Sequence, residues 1–144
     1  MPTSQAATHN VEAKAPHLVL RFQNSAAIIT GDIGRLRELL FNLIENAIQY
    51  TPAGGKITVF LSREEKTALI TVADTGIGIP EEDLPKIYNR FYRSNEAHTM
   101  NPKGSGLGLP ICLWIVSAHA GRINAESKLG KGTTFAVRFP LLSD

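Results

Sequence analysis

The stretch DIGRLRELLFNLIENAIQYTP, residues 32–52, carries the reading of the fold. Ile33, Leu36, Leu39, Leu40, Leu43, Ile44, Ala47 and Ile48 recur at helical spacing, which predicts a long helix with one broad buried face. Asp32 is a good N-cap for it. Thr51-Pro52 ends it, because proline lacks an amide donor and restricts the residue before it. Asn42 and Asn46 are four residues apart and share one side of the helix, with Glu38, Glu45 and Gln49 on or beside it. Amide oxygens suit a hard cation such as Mg2+. Alone, however, the pair fits a solvated polar face better.

Upstream, residues 17–22 alternate, with Leu18, Leu20 and Phe22 on one side of a predicted strand. Asn24-Ser25 signals a turn, and residues 27–30 are expected to return as a short second strand. Residues 1–16 lack periodicity and read as a tail or the end of a preceding segment, which leaves one domain over residues 17–142. Downstream, residues 56–63 and 67–73 form a strand pair across Glu64-Glu65-Lys66. The segment DTGIGIP, residues 74–80, follows as a glycine loop. Pro80 opens a short helix to about residue 88, which Pro85 keeps irregular. Residues 91–103 are polar and aperiodic and read as a mobile loop. Gly104 to Gly108 lead into an apolar helix, residues 109–120, ended by Gly121. Residues 122–127 and 133–139 are the last strands. The order predicts an α/β (α+β) two-layer sandwich. Its mixed, mostly antiparallel sheet has about five strands, covered on one face by three helices.

Composition narrows the function classes. A chain of 144 residues with 43% hydrophobic and 19% charged residues can bury a real core. The net charge of +2, with Lys and Arg scattered, does not suit a nucleic-acid binder. The single cysteine, Cys112, excludes a disulfide framework and points to a reducing cytoplasm. No apolar run approaches the roughly 20 residues of a membrane span. Membrane attachment of a longer parent must therefore lie outside this stretch, and the isolated domain is expected to be monomeric.

Two further segments bear on chemistry. Asp74 stands at a strand end beside Gly76 and Gly78, which can take positive φ and let a ligand approach the backbone. A carboxylate there can accept from an exocyclic amine, such as that of adenine. A tight turn with a capping aspartate explains the same residues. The run Gly104-Ser105-Gly106-Leu107-Gly108 stands before a helix, whose free amides and dipole favour phosphate. Such runs are also common in turns. No Gly-Lys-Ser/Thr follows, so this is not a Walker loop, and a dinucleotide fingerprint is missing as well.

In order and spacing, these segments resemble the ATP-binding catalytic domain of bacterial sensor histidine kinases, of the GHKL superfamily that includes gyrase B and MutL. Residues 39–52 resemble its N box and residues 74–80 its first glycine box. Residues 87–93 (IYNRFYR) are similar to its F box. GSGLGL, residues 104–109, resembles the second glycine box, and GTTF, residues 132–135, the closing strand. The resemblance implies the Bergerat fold, ATP and Mg2+, and transfer of the γ-phosphoryl group to a histidine. It implies that Asp74 meets the adenine amine, Asn46 holds Mg2+, and Asn42 lies by the phosphates. Tyr50 and Ile79 would border the base, with Gly76 and Gly78 in the loop beneath it. Gly104, Ser105, Gly106, Leu107, Gly108 and Leu109 would receive the phosphates, Thr133 would support Asp74, and Arg90 would approach the γ-phosphate. Residues 91–103 would be the ATP lid. The implied partners are a histidine-containing dimerisation domain of the same parent and a downstream response regulator.

The departures are informative. Gln49 stands where the family often has a cation, which Lys103 or Arg93 could replace. Tyr88 replaces the first F-box phenylalanine. Hydrolytic relatives carry glutamate at position 42, whereas this chain has Asn42. Glu45 lies about 300° further around the helix, so it reads as a solvent-facing charge instead. None of His9, His17, His98 and His119 has the context of a phospho-acceptor; each reads as structural or solvated, with His119 at a helix end, where a cation suits the dipole. The chain would then be half of an enzyme. A nucleotide sensor or pseudo-kinase, a stand-alone ATPase and an anti-sigma kinase are the competing readings.

Overall fold

In a computed structural model, which describes residues 4–9, 16–23, 27–101 and 104–142, the expected first helix forms as α1, Ile33–Gln49. The Asp32 carboxylate caps it, accepting from Arg35 N–H at 3.1 Å. Its buried stripe is Leu39, Leu43 and Ala47, each at most 2% exposed. The stripe is narrower than the periodicity predicts. Ile33 and Ile48 are 75% and 46% exposed. Ile48 lies about 140° around the helix from Leu43, and Ile33 sits in the first turn, at the margin of the covered arc. Asn42 and Asn46 flank the stripe on its other side.

The strands are β1 Ser4–His9, β2 His17–Gln23, β3 Lys56–Arg63, β4 Thr67–Asp74, β5 Arg122–Lys128 and β6 Gly132–Pro140. They form one sheet in the order β1-β2-β3-β4-β6-β5. Only β2 and β3 run parallel, with α1 as their crossover; the other pairs are antiparallel. The sheet therefore has six strands, because residues 4–9, expected in a tail, pair with β2 through their backbones. The hairpin return expected at residues 27–30 is absent. β1 and β3 already occupy both edges of β2, so no edge is left for it. Nor does β2 alternate as predicted: Val19 is buried while Leu20 is exposed.

Two other helices and a short 3-10 helix complete the layer. Residues 81–86 form the 3-10 helix with Pro85 inside it. Asn95–Met100 forms α2, inside the segment expected to be a loop, because Ser94 supplies an N-cap by accepting from Ala97 N–H at 3.0 Å. Gly108–Ala118 is α3, which packs on α1 and β5. The core joins Leu39, Leu43 and Ala47 to Ile57, Val59, Val72, Phe135, Val137 and Phe139 of the sheet and to Cys112, Ile115 and Val116 of α3. Each large side chain buried there contributes about 1.5–3 kcal/mol from apolar transfer. This core fixes α1 and the ends of β4, β5 and β6 in one rigid frame.

His119 has the structural role its place at a helix end suggests. Its Nε2 accepts from Asp32 N–H at 3.0 Å, while Nδ1 lies 2.8 Å from the Ile115 carbonyl and donates to it. That pattern requires the neutral ring with its proton on Nδ1. His119 thus ties the end of α3 to the start of α1.

Candidate functional site: a cleft between the first helix, the glycine loops and the lid

Asp74 ends β4 directly opposite Thr133 of β6. Its Oδ1 accepts from Gly76 N–H at 2.9 Å and from Thr133 N–H at 3.2 Å. Among the described residues, Oδ2 takes no hydrogen bond from the protein. Burial pushes the carboxyl pKa above its ordinary value, opposed by the amides of Gly76 and Thr133. The group is thus oriented through one oxygen and keeps the other for a donor.

The loop after Asp74 packs too tightly for side chains. A Cβ at Gly76 would collide with the Tyr50 carbonyl, which also accepts from Ile77 N–H at 3.0 Å. Of the two loop glycines, only Gly78 has positive φ, +74°. Ile79 N–H then donates to Ser127 Oγ at 2.7 Å, which moors the loop to β5.

On the far side, Gly108 and Leu109 begin α3 with no side-chain cap, and Pro110 has no amide to satisfy. Their first-turn amides are open to an anion. Gly104 N–H donates to Asn101 O at 3.2 Å, and Leu107 N–H to Ser105 Oγ at 3.2 Å. Those two amides are engaged, and Leu107 does not line the cleft. The expectation that both offer free amides is corrected in this conformation.

The cleft is lined by Asn42, Asn46, Gln49 and Tyr50 of the first helix and its cap, with Asp74, Gly78, Ile79 and Thr133 at its floor. Gly104, Ser105, Gly106, Gly108 and Leu109 form the opposite wall. Gly76 supports the floor from behind rather than lining it, and Lys103 lies outside the described residues. Glu45, expected to face solvent, is exposed yet sits on the rim.

Arg90 does not enter. It is exposed and absent from the lining; Arg93 takes the cleft instead. The reason is local: Phe91 adopts φ +63°, reversing the chain, and its N–H donates to Gly106 O at 3.0 Å. Arg93 then donates to Tyr50 Oη at 2.8 Å, to Ala97 O at 2.9 Å and to Asn101 O. It stands 5.9 Å from the Tyr50 ring. One guanidinium links the lid helix α2 to the cleft wall.

The donor set fits Mg2+ only in part from protein. No cluster of three or more His, Cys, Asp or Glu occurs among the described residues. Asn42 and Asn46 supply hard amide oxygens on one side of α1, and Mg2+ ordinarily completes its shell with water and phosphate oxygens.

The family model described as histidine kinase-, DNA gyrase B-, and HSP90-like ATPase matches residues 31–143. The chain belongs to that family. Its relatives include the sensor histidine kinase RppB of Synechocystis, 45% identical over 113 residues, which are 78% of this chain and 25% of that protein. The sensor protein SrrB of Staphylococcus aureus is 41% identical over 111 residues, 77% of this chain and 19% of its own length. The chain thus spans a quarter or less of these relatives. Among solved structures, the mycobacterial sensor histidine kinase MprB is 30% identical with a TM-score of 0.71, covering 78% of this chain and 76% of that one. Full-length ShkA in complex with AMPPNP is 26% identical with a TM-score of 0.73, covering 88% of this chain and 26% of that one. The GHKL fold expected from the motifs is the fold this family shares. Among the described residues, no helix is long and apolar enough to cross a membrane.

Proposed function

We propose that this chain binds Mg-ATP in the cleft and donates the γ-phosphoryl group to a histidine on a separate dimerisation domain, in two-component signalling. The observation that carries the reading is convergence. A half-buried carboxylate with one free oxygen, two helix-face amides and an uncapped helix start line one cleft. Asp74 Oδ2 accepts from the adenine amine, while Tyr50 and Ile79 border the base. The phosphates meet the amides of Gly106, Gly108 and Leu109. Asn46, with Asn42, holds Mg2+, which supplies charge neutralisation on the phosphates. Arg93 brings the cation that Gln49 does not, and residues 91–103 cover the nucleotide.

Transfer rather than hydrolysis is favoured because Asn42 cannot take a proton from water. Glu45 on the rim gives hydrolysis its one supporting observation, so Glu45→Gln discriminates. The phosphoryl acceptor and the response regulator downstream are partners outside this chain, which works in the cytoplasm. The test supplies the parent's histidine hairpin in trans with γ-labelled ATP. Acid-labile, alkali-stable label on that hairpin is expected. Saturable ATP binding without labelling would leave a nucleotide sensor or pseudo-kinase; phosphate release above background, lost in Glu45→Gln, would indicate an ATPase.

A further inference from the structure

Ser127 had no place in the sequence reading, yet its hydroxyl is the hub of the cleft floor. Three polar atoms surround Ser127 Oγ: Ile79 N at 2.7 Å, Gly132 O at 2.9 Å and Thr133 Oγ1 at 2.8 Å. A serine hydroxyl has one proton and two acceptor sites. Ile79 N–H can only donate and the Gly132 carbonyl can only accept. The Ser127 proton therefore goes to Gly132 O. Directed at Thr133 instead, it would leave two lone-pair-bearing oxygens facing each other at 2.9 Å. Ser127 Oγ must then accept from both Ile79 N–H and the Thr133 hydroxyl, which fills its capacity.

The consequence falls on Thr133, which lines the cleft opposite Asp74 and is 6% exposed. Its hydroxyl proton is committed to Ser127, so only lone pairs remain for a ligand. The Asp74 carboxylate, with Oδ2 unengaged, is likewise an acceptor. The floor thus presents two adjacent acceptors and no competing hydroxyl proton. We propose that Ser127 is a positioning residue that makes the cleft selective for amino- over keto-purines by holding the Thr133 hydroxyl as an acceptor. An exocyclic amine carries two N–H groups, one for each acceptor. A purine carbonyl in its place would face lone pairs on both sides. Without Ser127, the Thr133 hydroxyl is free to turn its proton into the cleft and serve a carbonyl. This inference rests on the ATP reading of the cleft.

The experiment compares ATP with inosine triphosphate, which exchanges the amine for a carbonyl, by calorimetry with Mg2+ on the unaltered chain and on Ser127→Ala, Ser127→Cys and Ser127→Thr. Ser127→Cys keeps the volume but replaces a strong hydrogen-bonding group with a weak one, so it holds the test open if alanine disturbs folding. Thermal unfolding monitors the fold of each. ATP affinity should change little in the alanine and cysteine variants, because Asp74 is untouched and the freed Thr133 hydroxyl can still turn a lone pair to the amine. Inosine triphosphate should bind up to about tenfold more tightly, as the Thr133 proton meets its carbonyl, so the preference narrows to the part Asp74 supplies, and Ser127→Thr should keep the full preference. A purely structural role would weaken both nucleotides equally. An unchanged ATP-to-inosine-triphosphate ratio in the alanine and cysteine variants would overturn the inference while leaving ATP binding intact. Failure of the unaltered chain to bind ATP would overturn the ATP reading itself.

Discussion

Replacing Asp74 with asparagine separates recognition from stability. Asparagine can keep the Oδ1 contacts from Gly76 and Thr133 at 2.9 and 3.2 Å, so the loop retains its anchor. The change falls on the free oxygen, which becomes an NH2 group facing the adenine amine. One charge-assisted hydrogen bond is lost, worth about 1.5–3 kcal/mol. At about 1.4 kcal/mol per tenfold, ATP affinity should fall between about 10-fold and 150-fold. Stability should move the other way. Burial raises the Asp74 pKa above its unfolded value, so its stabilising contribution is full at low pH and is lost as pH rises through the folded pKa. At pH 7 the ionised group therefore costs stability, and Asp74→Asn should unfold at an equal or higher denaturant concentration. The same shift predicts that ATP affinity of the unaltered chain falls on acidification, beginning above the ordinary carboxylate range, as the acceptor oxygen is protonated. Calorimetry over pH, with urea unfolding of both chains, measures all three effects. An affinity within twofold of the unaltered chain in Asp74→Asn, with both proteins folded, would refute the role given to Oδ2.

Tyr88 bears a buried hydroxyl with no partner among the described residues, and burial pushes its pKa up to about 12. Tyr88→Phe should leave the fold unchanged or stabilise it by about 1 kcal/mol in urea unfolding, since an unsatisfied buried group costs about 1–3 kcal/mol; a loss of that size would instead reveal a bonded hydroxyl. Arg93→Met removes the bonds to Tyr50, Ala97 and Asn101. Amide exchange across α2 should quicken at least about tenfold, as expected when local opening becomes easier by about 1.4 kcal/mol, and ATP affinity should fall; unchanged exchange would deny Arg93 its hold on the lid. Asn46→Asp adds a charge to the proposed cation site, so the Mg2+ dependence of ATP binding should shift to lower concentration, and an identical dependence would remove Asn46 from that site.

Much of the site was legible because its parts obey local rules. The Asn42–Asn46 spacing on an amphipathic helix, a carboxylate before a glycine loop, and a glycine run before an apolar helix each allow a bland reading alone, but their order and spacing together point to one site. What was missed depends on tertiary geometry. Arg90 stays outside the cleft, and Arg93, one of the two cations considered for the gap at Gln49, enters, because of a left-handed turn at Phe91, a residue with no sequence signal for one. Leu107 spends its amide on Ser105, a local bond that a glycine run does not announce. Strand β1 needs only a free sheet edge, so polar residues without period can form it. Ser127 does look like one more residue in an alternating strand; its pairing with Thr133 across β5 and β6 is what makes it chemical. The sequence of α2 reads as loop because six residues carry too little periodicity, although Ser94 offers a visible cap.

The central claim, that Asn42, Asn46, Asp74 and the Gly104–Gly108 wall form one nucleotide site, is tested most directly by titrating the 15N-labelled chain with Mg-AMPPNP and following amide resonances. The account predicts saturable shifts, largest at the backbone amides of Gly76, Gly106, Gly108 and Leu109 and the side-chain amides of Asn42 and Asn46. Absence of saturation, or shifts centred on the sheet face away from α1 and α3, would contradict it.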